Sequence, residues 1–182
     1  MTAIQTKQQL DSFYSEPDPW QYAGHPDDAR RKTELLSLIP PRQFERTLDI
    51  GCGNGFLTFD LPGKAVTGVD LSSSAIGWAC QNRHMRDDAA RFSFVAASLF
   101  ELDPKRLGLF DLVVITGVLY AQYIGRTSSL VRQCIDELLE EGGILVSCHI
   151  DEWHPPRFPY TTLDVVLYPY RDHVHRLEVY RK

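Results

Sequence analysis

The 182-residue chain has no apolar run approaching the roughly 18 residues that a membrane helix needs; charge or glycine interrupts each one. Its opening stretch, Met1 to Leu10, is polar rather than a secretory leader, so a cytoplasmic protein is expected. Cysteine is scarce and unpatterned. Cys52, Cys80, Cys134 and Cys148 show no C-x-x-C spacing, which argues for reduced, mostly buried thiols and against a metal or disulfide role. A basic surplus is missing too: 19 Lys and Arg against 24 Asp and Glu leave a net charge of -5, and the basic residues are dispersed. Phosphate neutralisation needs a clustered basic face, so no nucleic-acid partner is expected. With no linker in evidence, residues 1–182 read as one domain large enough to bury a core, and residues 1–45 as a lead-in and helix that form a lid.

What is present is concentrated in Thr47-Leu48-Asp49-Ile50-Gly51-Cys52-Gly53-Asn54-Gly55-Phe56-Leu57, where an apolar strand ends in three glycines at alternate positions. Glycine tolerates positive φ and removes the Cβ that would block a tight strand-to-helix turn, so the backbone can bend under a ligand. Ala65-Val66-Thr67-Gly68-Val69-Asp70 reads as a second strand, ending in a carboxylate fifteen positions past Gly55. A carboxylate there lies beside the turn and can accept hydrogen bonds from both hydroxyls of a ribose. The pair points to a nucleoside-containing cofactor. The dinucleotide fingerprint G-x-G-x-x-G needs a small third residue, whereas this chain has Phe56, which disfavours a nicotinamide oxidoreductase. No Gly-Lys-Ser/Thr ending marks a phosphate-cradling loop.

Along the chain, residues 1–26 form a lead-in without clear period, in which Phe13-Tyr14 precede Pro17-Asp18-Pro19-Trp20-Gln21-Tyr22. Its prolines fix extended geometry around an aromatic cluster. A capped helix is expected over 27–38, ended by Pro40-Pro41. Strand 46–50, helix 55–61, strand 64–69, helix 73–86, strands 91–96 and 110–116, helix 127–140 and strand 143–149 follow. This alternation predicts an α/β fold with a parallel sheet. Leu130, Val131, Cys134, Ile135, Leu138 and Leu139 share one stripe of the last helix, which Glu141-Gly142-Gly143 is expected to stop. Val165 to Leu167 and then Val174, Leu177 and Val179 flank Pro169-Tyr170-Arg171-Asp172 as a hairpin. Pro155, Pro156 and Pro159 leave room for at most a very short helix before it.

Four segments, Asp49 to Gly55, Gly68-Val69-Asp70-Leu71-Ser72, Phe110 to Val114 running on to Val118-Leu119-Tyr120, and Leu139 to Val146, resemble in order and spacing the motifs of class I S-adenosylmethionine-dependent methyltransferases. The likeness covers roughly residues 46–149. It implies a Rossmann-like fold, a mostly parallel twisted sheet with helices on both faces and a C-terminal antiparallel hairpin, with S-adenosyl-L-methionine as cofactor. Phe13-Tyr14, Asp18-Pro19-Trp20 and Val118-Leu119-Tyr120 further resemble the nodulation N-methyltransferase NodS family, which methylates the glucosamine end of a chitooligosaccharide. That family has a Tyr-Glu and an Arg-Lys pair in its first helix. Here Asp27-Asp28 and Arg30-Arg31-Lys32 stand instead, leaving the register of the acid open.

The resemblance implies roles for particular residues. Gly51, Cys52, Gly53 and Gly55 shape the turn under the amino-acid and ribose parts, and Asp49 either orders that turn or reaches the methionine ammonium. Asp70 takes the ribose, Leu71 covers one adenine face, and Ser98 stands where the superfamily often has an adenine-binding Asp, with the Leu99 amide beside it. The backbone near Thr116 and Gly117 faces the methionine part, and Arg31 pairs with its carboxylate or lies on a solvated helix face. Trp20 and Tyr22 either close the site or pin the lead-in to the core; Tyr120 and Tyr123 follow strand four, where ligands of such sheets collect, so Tyr120 is a candidate catalytic residue, or else both pack in the core or rim. His149 is the candidate base, since imidazole titrates near neutral pH, with His154 and Asp151 behind it. His173 and His175, beside a turn, are expected to be exposed rather than a metal pair. The acceptor is expected to be a small molecule or glycan, with an amino-sugar nitrogen as the site that the NodS resemblance implies, and an extended one, because no large insertion follows strand five. The alternatives are a non-catalytic SAM-binding module and an O-methyltransferase of a biosynthetic intermediate; the oligomeric state is not legible.

Overall fold

A computed structural model of the chain describes residues 4–153 and 157–182. Helices α1 (Lys7–Phe13) and α2 (Pro26–Leu38) precede β1 (Arg46–Ile50) and β2 (Ala65–Asp70). Then come α3 (Ser73–His84), β3 (Phe92–Ala96), α4 (Pro104–Leu107), β4 (Phe110–Thr116), α5 (Ala121–Ile124), α6 (Ser128–Leu138) and β5 (Leu139–Ile150). The hairpin β6 (Thr161–Tyr170) and β7 (His173–Arg181) ends the order. Seven strands form one sheet in the order β3-β2-β1-β4-β5-β7-β6. The first five are parallel, and β7 inserts antiparallel between β5 and β6.

Strand β4 is apolar almost throughout because both its faces are covered. Leu112 and Val114 join the core on the α2 side with Leu35, while Val113 and Ile115 join the α6 side with Val131 and Ile135. Asp111, the exception, accepts from the backbone N–H groups of Glu45 (2.7 Å) and Arg46 (2.9 Å), so its carboxylate splices the chain entering β1 onto β4.

Several boundaries differ from those expected. Around 55–61 only a single 3-10 turn, Thr58–Asp60, forms, since Pro62 disfavours helical geometry in the residue before it. Helix α6 stops at Leu138, and β5 begins at Leu139, running through the segment expected to be a helix stop; Gly142 supplies its positive φ of 74° within the strand. Leu130 accordingly points outward at 46% exposure. The lead-in contains α1, opened by a capping box between Thr6 and Gln9. Pro169 and Tyr170 belong to β6, leaving Arg171-Asp172 as the turn. His175 is buried at 3% exposure, contrary to expectation, because β7 is an interior strand. Pro155 and Pro156 lie outside the described residues, as does His154.

Candidate active site

Parallel sheets collect ligands at the carboxyl ends of their strands, where the strand order reverses. Here that crevice lies between β1 and its neighbours β2 and β4, and it holds a cavity of about 180 Å³. Asp49, Gly51, Cys52 and Gly53 contribute one wall, Asp70 and Leu71 another, Ser98 and Leu99 a third, and Thr116 and Gly117 a fourth. Trp20 and Arg31 reach the same cavity from the lead-in and from α2.

Asp70 accepts from the N–H of Gly53 through Oδ2 (2.9 Å) and from that of Ser72 through Oδ1 (2.9 Å). Burial nevertheless raises its pKa, against the lowering effect of those two N–H groups. Gly51 and Gly53 both have positive φ, 77° and 53°. The space each leaves is taken by the protein itself: a Cβ on Gly51 would collide with Val118 Cγ2, and one on Gly53 would stand 2.7 Å from the phenol oxygen of Tyr14. Gly55 does not reach the cavity. It packs behind the turn against Phe59, and its N–H donates to the carbonyl of Cys52 (3.0 Å).

Asp49 is 1% exposed, and its Oδ2 accepts from Thr58 Oγ1 at 2.6 Å. Its Oδ1 has no partner, although it is buried. Desolvation, reinforced by Asp70 and countered by Thr58 and Arg31, pushes the Asp49 pKa up to about 7. A buried carboxylate oxygen left without a donor carries a desolvation cost, which a cationic donor would offset most. Arg31 approaches from α2, its guanidinium lying over the rings of Tyr22 (4.9 Å) and Tyr170 (5.6 Å). Thus two buried or half-buried carboxylates, Asp49 and Asp70, and the Arg31 guanidinium line one cavity.

The lead-in roofs this space. Gln5, Leu10 and Tyr14 line it, although none of them carried a sequence signal for ligand contact. Trp20 Nε1 donates to Tyr14 Oη (3.2 Å), Trp78 Nε1 to the Tyr14 carbonyl (3.0 Å), and Asn54 Nδ2 to the Pro17 carbonyl (2.9 Å). Asp11 holds α1 onto α3 by accepting from Ser72 Oγ (2.8 Å) and the Ser74 N–H (3.1 Å). Trp20 and Tyr22 therefore both line the cavity and pin the lead-in. The capping pattern Thr6-x-x-Gln9 was the available sign of α1.

His149 and Tyr120, expected at the reacting centre, do not line the cavity. His149 is 1% exposed, hydrogen-bonded by Nδ1 to Ser147 Oγ (3.1 Å), and lies outside the cavity wall. Burial and the neighbouring His175 lower its pKa to about 3, which favours the neutral form near pH 7. Tyr120 also lies outside, its Oη accepting from the Ile150 N–H at 2.9 Å, whereas Tyr123 does line the cavity. Ser98 caps the turn Leu99–Glu101, accepting from the Phe100 N–H at 3.3 Å, which leaves its own O–H free. Asp151 is engaged by Arg176 (2.7 Å).

Residues 43–170 match the family model described as a methyltransferase domain. The chain belongs to that family. It is similar to Nodulation protein S of Rhizobium tropici, 29% identical over 135 residues, 71% of this chain and 53% of that protein. It is also similar to the Ubiquinone biosynthesis O-methyltransferase of Aromatoleum aromaticum, 34% identical over 101 residues, 54% of this chain and 41% of that one. The chain thus spans about half the length of these curated relatives. The crystal structure of the N-methyltransferase NodS from Bradyrhizobium japonicum WM9, in complex with S-adenosyl-L-homocysteine, superposes with a TM-score of 0.79 at 26% identity, covering 97% of both chains. The fold is Rossmann-like, with an antiparallel hairpin at its C-terminal end. Among those residues no helix is long and apolar enough to cross a membrane.

Proposed function

We propose that this chain is an S-adenosylmethionine-dependent methyltransferase acting on a small molecule or glycan. The observation that carries the reading is the unpartnered Asp49 Oδ1, buried in a cavity that Asp70 and Arg31 also line. In this reading Asp49 accepts from the ligand's ammonium and Arg31 holds its carboxylate. Asp70 accepts from the ribose hydroxyls, since each of its oxygens retains a lone pair beyond the backbone bond it already accepts. Leu71 and Leu99 flank the adenine, Ser98 offers it a hydroxyl, and the Thr116-Gly117 backbone faces the methionine part. Gly55 keeps a structural part in the turn. When bound, the cofactor supplies a methyl group already activated on a sulfonium, so the chain's task is to hold both partners in line and exclude water. The roof of Tyr14, Trp20 and Tyr22 serves that exclusion, and residues 1–45 act as a lid on a single domain of residues 1–182.

An amine acceptor is the favoured reading, by likeness to the nodulation enzymes, and an extended one suits the lack of a large insertion in the sequence between Ile150 and Thr161. His149 and Tyr120 then act by fixing the end of β5 rather than by touching the acceptor. The 34% identity to a ubiquinone-pathway enzyme favours a second reading, methylation of a hydroxyl. Transfer of tritium from methyl-labelled S-adenosylmethionine to amino-sugar oligosaccharides, against hydroxyl acceptors, decides between them. Calorimetric binding of S-adenosylhomocysteine without transfer to either would leave a binding module.

A further inference from the structure

The hairpin turn reaches Asp28, the acid paired with Arg31. Arg171 is one of two non-glycine residues with positive φ, 51°, among the described residues. Its N–H donates to Asp27 Oδ2 (2.9 Å), and its Nη2 to Asp28 Oδ2 (2.7 Å) and to the Trp20 carbonyl (3.0 Å). One turn residue thereby joins the hairpin, α2 and the lead-in. Asp28 is fully buried, and its other oxygen accepts from Tyr170 Oη at 2.7 Å. Arg31 Nη2 stands farther off, 3.3 Å from that same Oδ1.

The ordering of these distances matters. Asp28 is one turn before Arg31 on α2, and a free carboxylate there would draw the guanidinium into a two-pronged pair, the preferred geometry for these groups. Arg171 and Tyr170 occupy both oxygens with the shorter bonds, so Arg31 is anchored at one corner only. We propose that Arg171 and Tyr170 are positioning residues: by holding each Asp28 oxygen in a shorter bond they limit Arg31 to one corner and keep its guanidinium turned to the cavity, ready for a ligand carboxylate. This rests on the reading of the cavity as an S-adenosylmethionine site. It makes a distal hairpin a determinant of cofactor affinity.

The test compares two ligands that share the adenosyl group, S-adenosylhomocysteine and 5′-methylthioadenosine, of which only the first has the carboxylate. Calorimetry on the full chain is expected to show Arg171→Ala weakening S-adenosylhomocysteine about tenfold more than 5′-methylthioadenosine, the scale of one charge-assisted hydrogen bond. Because Arg171 also holds Trp20, Tyr170→Phe provides a second variant that removes only a bond to Asp28; it is expected to shift the ratio in the same direction. Arg171→Lys, which restores a donor to Asp28, is expected to recover part of the loss. An unchanged ratio in both Arg171→Ala and Tyr170→Phe overturns the inference while leaving the proposed function standing. Wild-type protein that takes up no S-adenosylhomocysteine overturns both.

Discussion

If Asp49 receives the ammonium of the ligand, binding must move a proton. In the free protein burial pushes the Asp49 pKa up to about 7, so at pH 6 the group is about nine-tenths protonated. A protonated Asp49 cannot pair with an ammonium until the proton leaves. Binding of S-adenosylhomocysteine is therefore expected to release close to one proton at pH 6 and few above pH 8. By linkage, affinity is expected to rise about eightfold between pH 6 and pH 7.5. Titration in buffers of differing ionisation enthalpy measures the proton release directly. Asp49→Asn keeps an acceptor for Thr58 but turns N–H donors toward the cavity, so it is expected to cost about tenfold to a hundredfold in affinity and to flatten the pH dependence. In the free protein the same shift acts on stability. The folded pKa lies above the usual 3.8, so the contribution of Asp49 is fully present below that value and is lost as pH rises through about 7. A pH-independent affinity with no proton released at pH 6 would refute the assignment of Asp49 to the ammonium.

Asp70→Ala removes the acceptor assigned to the ribose and is expected to weaken S-adenosylhomocysteine about a hundredfold; unchanged affinity in a calorimeter would remove that assignment. Gly51→Ala places a Cβ against Val118 in a backbone conformation of positive φ, and is expected to cost about 1–3 kcal/mol, read as a lower denaturant midpoint. Ile135→Ala empties a fully buried position of α6 and is expected to cost about 2–5 kcal/mol with cofactor affinity unchanged, which chemical denaturation and calorimetry together report.

Much of the sheet was legible because its strands announce themselves locally. The apolar run Phe110 to Ile115 needs cover on both faces, and the turn from Ile50 through Gly53 needs residues that accept positive φ. That Asp49, Gly51, Cys52, Gly53, Asp70, Leu71, Ser98 and Leu99 converge on the crevice was legible for the same reason, since strand ends and the turns after them are fixed once the sheet is. What escaped is set by tertiary contact. Helix α1 buries none of its own residues and so has no apolar stripe; it is held by polar bonds from Asp11 to α3, which no periodicity reveals. His149 looked suited to proton transfer because it ends a strand, but its side chain takes the packed side, beside Ser147. Asp28 is the sharpest case. In sequence it is one of two acids opening a helix, a pattern that normally marks a solvated first turn facing the helix dipole. Its burial depends on Tyr170 and Arg171, more than 140 positions away, and only the insertion of β7 between β5 and β6 brings them there.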